Sequence, residues 1–410
     1  MPVSSNNGSS NERILYSHHK ALDAILDLGA IPERLFRVFY PLWRVQVDGH
    51  QRIATDFEEL EWFMERGIHD IGITSLEALA SFFGLEERFV RSLVSFLQHI
   101  EHIKGDDNHL ELTQLGLESV RARIRYQEQR TSAYLYFDGL GSRPLTKKHY
   151  LIPVYEDISV NQRFWAFYPF NHQWNESAVD NLMSQPNRDA YNLPDEVTQI
   201  ELVGREPIYM PAYVIQRRED KQLHLPEFLV FSRIQGLRDD VLEKAINTES
   251  TALRSLAQTR QNNLGQSIAE VLSEKTLKLD DWHFNQQGAM GYQVTVNAHV
   301  IVDDTYLFDD DKNHIGLTFR DIGRYLTIYD WCVWVTCDEP DIRVKAATQQ
   351  ILEWLQYATK APSLDDIEKQ LTTIQKRMDI EDLSLETIID QALELGLSRA
   401  LDRLEILEQS

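Results

Sequence analysis

Apolar residues recur at helical spacing in some stretches of the chain and alternate in others. Ile14, Leu15, Leu22, Ile25, Leu26 and Leu28 fall mostly three or four apart, which predicts a helix over 14–28. An aromatic and β-branched run follows at Phe36, Val38, Phe39, Tyr40, Trp43 and Val45, expected to be core or interface. Residues 57–66 read as a helix. Thr74 with Glu77 three residues on predicts a capping box and a helix to Phe83, stopped at Gly84. A further helix is predicted from Leu85 or Glu86 to Ile100. Its apolar positions Phe89, Leu93, Phe96, Leu97 and Ile100 stand at offsets of 0, 4, 7, 8 and 11, one buried face. His102-Ile103-Lys104 and Leu110-Glu111-Leu112 flank a polar turn over 105–108 and read as a hairpin. Thr113 opens the next helix, expected to run through Val120 and Ile124. Arg121, Arg123, Arg125 and Arg130 would form its basic end.

The second half of the chain mixes short strands and helices. Tyr134 to Gly139 reads as a strand leaving through a turn. Strands are expected at 150–154, 163–168, 208–215, 228–231 and 292–302, and helices at 242–260 and 266–275. Ile322 to Ile328 reads as a short helix. The β-branched and aromatic run Trp331 to Cys337 reads as a buried strand. Pro340 starts a helix through Tyr357, where a first-turn proline is tolerated. Ser363 with Asp366 predicts a second capping box, and the pattern stays helical to the end.

Composition adds little to this picture. A length of 410 residues gives two to three domains at about 150 residues each. The first residues are rich in Ser, Asn and Gly, so 1–12 is expected to be a disordered tail and not a signal peptide. No stretch approaches the roughly 18 apolar residues of a membrane helix. Two cysteines exclude a disulfide scaffold and a four-thiolate zinc site. The expected location is a reducing cytoplasm. A net charge of −23 argues against a surface built throughout to grip phosphate, while allowing a local basic patch.

The order helix, helix, tight turn, helix, hairpin over 57–125 resembles the winged-helix variant of the helix-turn-helix superfamily. The resemblance is carried by Thr74-Ser75-Leu76-Glu77-Ala78-Leu79-Ala80, Phe83-Gly84-Leu85, Val90 to Ile100 and Leu110-Glu111-Leu112-Thr113-Gln114-Leu115-Gly116. It implies a module that binds DNA, RNA or another protein, and a fold alone does not choose among them. Opposite the expected core face, Arg88, Arg91, Ser92, Ser95 and His99 are side chains able to reach phosphates and base edges. Glu86 and Glu87 oppose this at the start of the helix, which normally approaches the groove. Residues 51–120 hold five basic and fourteen acidic side chains, a net −9. A phosphate-binding surface would therefore need Arg121 and Arg125 beside Arg88 and Arg91.

Catalytic patterns mostly fail. Asp309, Asp311 and Asn313 match the first three ligands of an EF-hand loop, but His314 and Arg320 replace its Gly and Glu. That cluster is expected to be a solvated turn. A phospholipase D pattern starting at His102 lacks its Asp. No P-loop, dinucleotide-binding glycine pattern, nucleophile elbow or His-Glu-x-x-His is present. Cys332 and Cys337 would point to opposite faces of a strand. Asp338 and Glu339 read as helix-capping acids. His18 and His19, about 100° apart on a helix, are expected on a solvated surface.

The expected fold is α+β, with a helical winged-helix domain over 13–130, a mixed α/β domain over 131–360 and an acidic helical tail over 361–410. The tail holds twelve acids and five bases. The expected function is an intracellular adaptor or regulator, without a cofactor, docking DNA or a protein partner, with no membrane contact and with oligomers allowed. Alternatives are a metal-dependent hydrolase or nuclease using carboxylates at 303–311 and 338–339, or a structural subunit of a larger complex.

Overall fold

The computed structural model describes residues 17–156, 166–167, 174–220, 227–232, 238–249, 263–302, 316–358, 361–381 and 383–408. In chain order they form helix α1 (His18–Asp27), strand β1 (Pro32–Asp56), helices α2 (Glu59–Asp70), α3 (Leu76–Phe83) and α4 (Glu87–His99), hairpin strands β2 (Ile103–Asp106) and β3 (His109–Leu112), helix α5 (Gln114–Ala122) and strand β4 (Ile124–Asp138). There follow β5 (Ala166–Phe167), α6 (Ala178–Met183), β6 (Val197–Arg217), β7 (Phe228–Ser232), α7 (Asp240–Glu249), α8 (Leu264–Glu274), β8 (Trp282–Gly288) and β9 (Gly291–Val296). The remainder comprises β10 (Ile301–Val302), β11 (Leu317–Thr318), β12 (Arg324–Ile328), β13 (Trp331–Cys337), α9 (Pro340–Tyr357), α10 (Leu364–Met378), α11 (Leu385–Glu394) and α12 (Ser398–Glu408). The fold is α+β. The expected tail over 1–12 and the acidic cluster at 303–311 lie outside the described residues, as do most of the strand expected at 163–168 and the end of the helix expected at 242–260.

The chain forms two units, and their limits differ from the expected domains. One comprises Met1–Tyr40, Ile152–Phe170 and Tyr209–Ser410; the other comprises Pro41–Leu151 and Asn171–Ile208. The limits fall inside β1 and β6, two long strands, so no Gly- or Pro-rich linker marks them.

In the larger unit β13 is the organising strand. It runs antiparallel to β12 and parallel to β9, and Trp331 pairs with Arg34 at the start of β1. Its alternating side chains serve two cores, as period-two geometry requires. Cys332 and Trp334 pack with Leu22 and Ile25 of α1 and Phe231 of β7. Val333, Val335 and Cys337 pack with Ile268, Ile351 and Leu352. Both cysteines are buried and unbridged.

Several expectations change here. The stretch 322–328 is strand β12 rather than a helix, because Tyr325, Thr327 and Ile328 sit in register against Trp334, Cys332 and Trp331. Residues 147–151 form a 3-10 turn where a strand was expected to begin. The segment 361–410 is no separate tail. Ile367, Leu371, Ile374, Ile388 and Leu404 enter the same core as α9, and the charges lie between these positions. His18 is not solvated: its Nε2 lies 2.9 Å from the Thr327 hydroxyl. Burial, with the charges of His19 and Arg37, pushes it down to about 3.

In the smaller unit, Leu42–Asp56 of β1 pairs antiparallel with Ile124–Asp138 of β4 over fifteen residues. The first half of β6 lies along β1 on the other side, with the Arg52 amide donating to the Glu196 carbonyl at 3.1 Å. Asp56 pairs with Ile124, so everything from 57 to 123 is mounted at the tip of this ribbon. The helix expected to continue through Ile124 ends at Ala122, where Arg123 takes a left-handed turn (φ 55°). Arg125 and Arg130 therefore belong to β4 and not to a helix end.

Candidate docking face of the helical module

The module begins with α2, whose inward positions Glu61, Met64, Glu65 and Ile68 follow offsets of 0, 3, 4 and 7. Helix α3 is capped one residue later than the sequence predicts. The Ser75 hydroxyl accepts from the Ala78 amide at 3.3 Å, and this leaves no capping box with Glu77. Gly84 closes α3 at φ 66°, a conformation that glycine adopts without a Cβ penalty. The β2–β3 hairpin is tied to the start of α3: the Leu76 amide donates to the Asp107 carbonyl, and the Leu110 amide to the Thr74 carbonyl at 2.7 Å. The hairpin turn is tighter than expected, since Gly105 and Asp106 already pair with Leu110 and His109.

Helix α4 buries Val90, Val94, Leu97 and Ile100. The expected face shares Leu97 and Ile100 with this one and is turned from it by roughly 60°, at about 100° per residue. Of its members, Leu93 and Phe96 are half-buried and Phe89 is 48% exposed. The reason is a stripe wider than one face. Both the 89/93/96 and the 90/94/97 rows are apolar, and spacing alone does not say which meets α2 and α3.

Arg88, Arg91, Ser92, Ser95 and His99 all lie exposed on α4. Two of these groups are engaged locally. Arg91 binds Glu87 at 2.9 Å and also the Asp107 carboxylate of the hairpin turn. The Ser92 hydroxyl donates to the Arg88 carbonyl one turn back. The expected additions behave differently. Arg125 is drawn to the buried carboxylate of Glu61 at 2.9 Å, with its guanidinium 5.6 Å from the centre of the Phe96 ring. Arg121 is exposed at the end of α5, where its charge acts on Glu118. Arg125 thus forms part of an internal clamp, not of a solvent-facing basic surface.

Other features of this module were missed in the sequence. Phe82 is 56% exposed at the end of α3, and Phe89 stands at the start of α4 across the Gly84 turn. Trp62 of α2 lies under two guanidinium groups, Arg66 at 4.9 Å and Arg123 at 4.8 Å. Within the module, His102 is fully buried between α2, α5 and β4. Its Nδ1 lies 2.6 Å from Glu65 Oε1, and its Nε2 faces the Tyr126 carbonyl. Burial alone would push this imidazole down. The Glu65 carboxylate and the Tyr126 carbonyl outweigh burial and hold it above the usual histidine value. Burial pushes Glu65 up against the opposing bond to His102. Both effects draw a proton into the pair, which titrates as one unit. Two glutamates on the apolar stripe of α2 were the sequence signal for this network, because carboxylates are rarely buried unless paired.

The described residues hold no group of three or more His, Cys, Asp or Glu side chains able to bind a metal ion. Asp338 and Glu339 are both exposed; Glu339 precedes the first turn of α9 and makes no side-chain capping bond. No helix among the described residues is long and apolar enough to cross a membrane. Comparison of the chain with protein-family models, with curated proteins and with solved structures gave no match.

Proposed function

We propose that the chain is an adaptor or regulator whose segment 57–125 is a winged-helix module that docks a protein partner through the α3–α4 face. The order α2, α3, α4, hairpin, α5 supports the winged-helix reading. One observation carries the choice of partner. Across the Gly84 turn, Phe82 and Phe89 are exposed, while two of the four arginines that would meet phosphate, Arg91 and Arg125, are already bonded to Glu87, Asp107 and Glu61. Breaking those pairs to grip DNA would leave the carboxylates unpaired beside a polyanion. Exposed aromatic side chains are instead the usual anchors of a protein interface.

A photo-crosslinking residue at position 89, introduced into the full chain in its native cell, tests this. A protein adduct lost on Phe82→Ser is expected. A nucleic-acid adduct, or salt-sensitive DNA retention lost on Arg88→Ala and Arg121→Ala, would overturn it.

A further inference from the structure

The larger unit carries a cleft of about 710 Å³ between the end of α1, the β8–β9 turn and one side of α9 and α10. That volume lies within the range of small-molecule sites. One wall is apolar, with Ile31, Met290 and Trp354. The other is the α10 surface bearing Lys369 and Lys376, seven residues and therefore about two turns apart. The acids at the cleft are engaged. Asp27 binds Arg377 at 2.9 Å, and Asp366 accepts from the Ser363 amide and hydroxyl at 3.0 and 2.7 Å. Neither lysine forms an ion pair among the described residues.

We infer that this cleft binds an amphipathic organic anion. Its apolar body lies against Met290 and Trp354, and its anionic group meets Lys369 and Lys376. A neutral apolar ligand would leave the two ammonium groups unused, and a cation would be repelled by them. The inference does not depend on the docking reading, since it uses no residue of the helical module.

The probe is anilinonaphthalene sulfonate, an aromatic anion whose emission rises in apolar surroundings, titrated against the full chain. Saturable binding is expected. Lys369→Glu with Lys376→Glu weakens it at least about tenfold, the scale of losing charge-assisted contacts. Thr373→Trp, which fills the cleft without changing its charge, abolishes it. Decanoate displaces the probe and decanol does so at least about tenfold less well. Circular dichroism checks that each variant is folded, and if Thr373→Trp unfolds, the lysine pair decides. Absence of saturable binding, unchanged affinity in the double variant, or equal displacement by decanol overturns the proposal.

Discussion

Replacing His102 with leucine tests the buried network of the helical module. The imidazole has no exposed surface and provides the 2.6 Å partner of Glu65. Glu65 Oε2 has no hydrogen-bond partner of its own, so the variant leaves a buried carboxylate without compensation. Removing one member of a buried pair costs about 3–5 kcal/mol. At about 1.4 kcal/mol per factor of ten, opening of the module should rise by roughly two to three and a half powers of ten. Hydrogen exchange of the Leu110 and Thr113 amides reads this, because they bond to the Thr74 and His102 carbonyls. Adding Glu65→Met should recover most of the loss, since an apolar pair of similar volume is often neutral or better. The same network sets a pH dependence. His102 is held above its unfolded value near 6.5, so the folded state binds the extra proton. Its contribution is complete below about pH 6.5 and is lost as pH rises through the folded value. Protection, corrected for intrinsic exchange, should fall over that range in the parent chain and not in the double variant His102→Leu, Glu65→Met, which lacks both titrating groups. Unchanged protection in the single variant, or a double variant as unstable as the two singles summed, would refute the reasoning.

Leu97→Ala should destabilise the module by about 2–5 kcal/mol, whereas Phe89→Ala should stay within about 0.5 kcal/mol; urea titration followed by Trp62 emission checks both. Gly116→Ala should be strongly destabilising, because a Cβ there would lie 2.3 Å from the His102 carbonyl oxygen, and the same titration reads it. His18 has a folded value near 3 against 6.5 unfolded, so its contribution is present above pH 6.5 and is lost as pH falls toward 3; exchange of the α1 amides should rise on acidification, less so in His18→Gln. Cys332 is fully buried, and burial pushes the Cys337 thiol up to about 11, so a thiol reagent at pH 8 should label neither until the chain is unfolded.

The elements easiest to read in the sequence were those whose local signals agreed. Helix α9 starts at Pro340 and ends at Tyr357 as predicted, and the Ser363–Asp366 capping box is present. Strand β13 was legible because seven β-branched, aromatic or thiol residues follow one another. Long-range pairing was not legible. Strand β1 continues to Asp56 through His50, Gln51 and Arg52, polar residues whose strand character comes from β4 and β6 on either side. At the candidate face the five exposed α4 positions were legible from periodicity. The partners of Arg91 and Arg125 were not, since Asp107 and Glu61 lie 16 and 64 residues away in sequence.

The pairing of Asp56 with Ile124 also constrains the order in which this part of the chain folds. Until residues 57–123 fold, β1 and β4 are joined by a loop of 67 residues. Closing such a loop costs roughly 3 kcal/mol more than closing a two-residue turn, by the logarithmic dependence on length. The helices and hairpin of the module make mostly local contacts and need no ribbon to begin forming. Once formed, the module holds its two ends within a strand spacing of each other, and the long loop becomes in effect a short one. The fifteen-residue ribbon then zips from its tip toward its base, so slow formation of the module delays strand pairing far from any residue that the module touches.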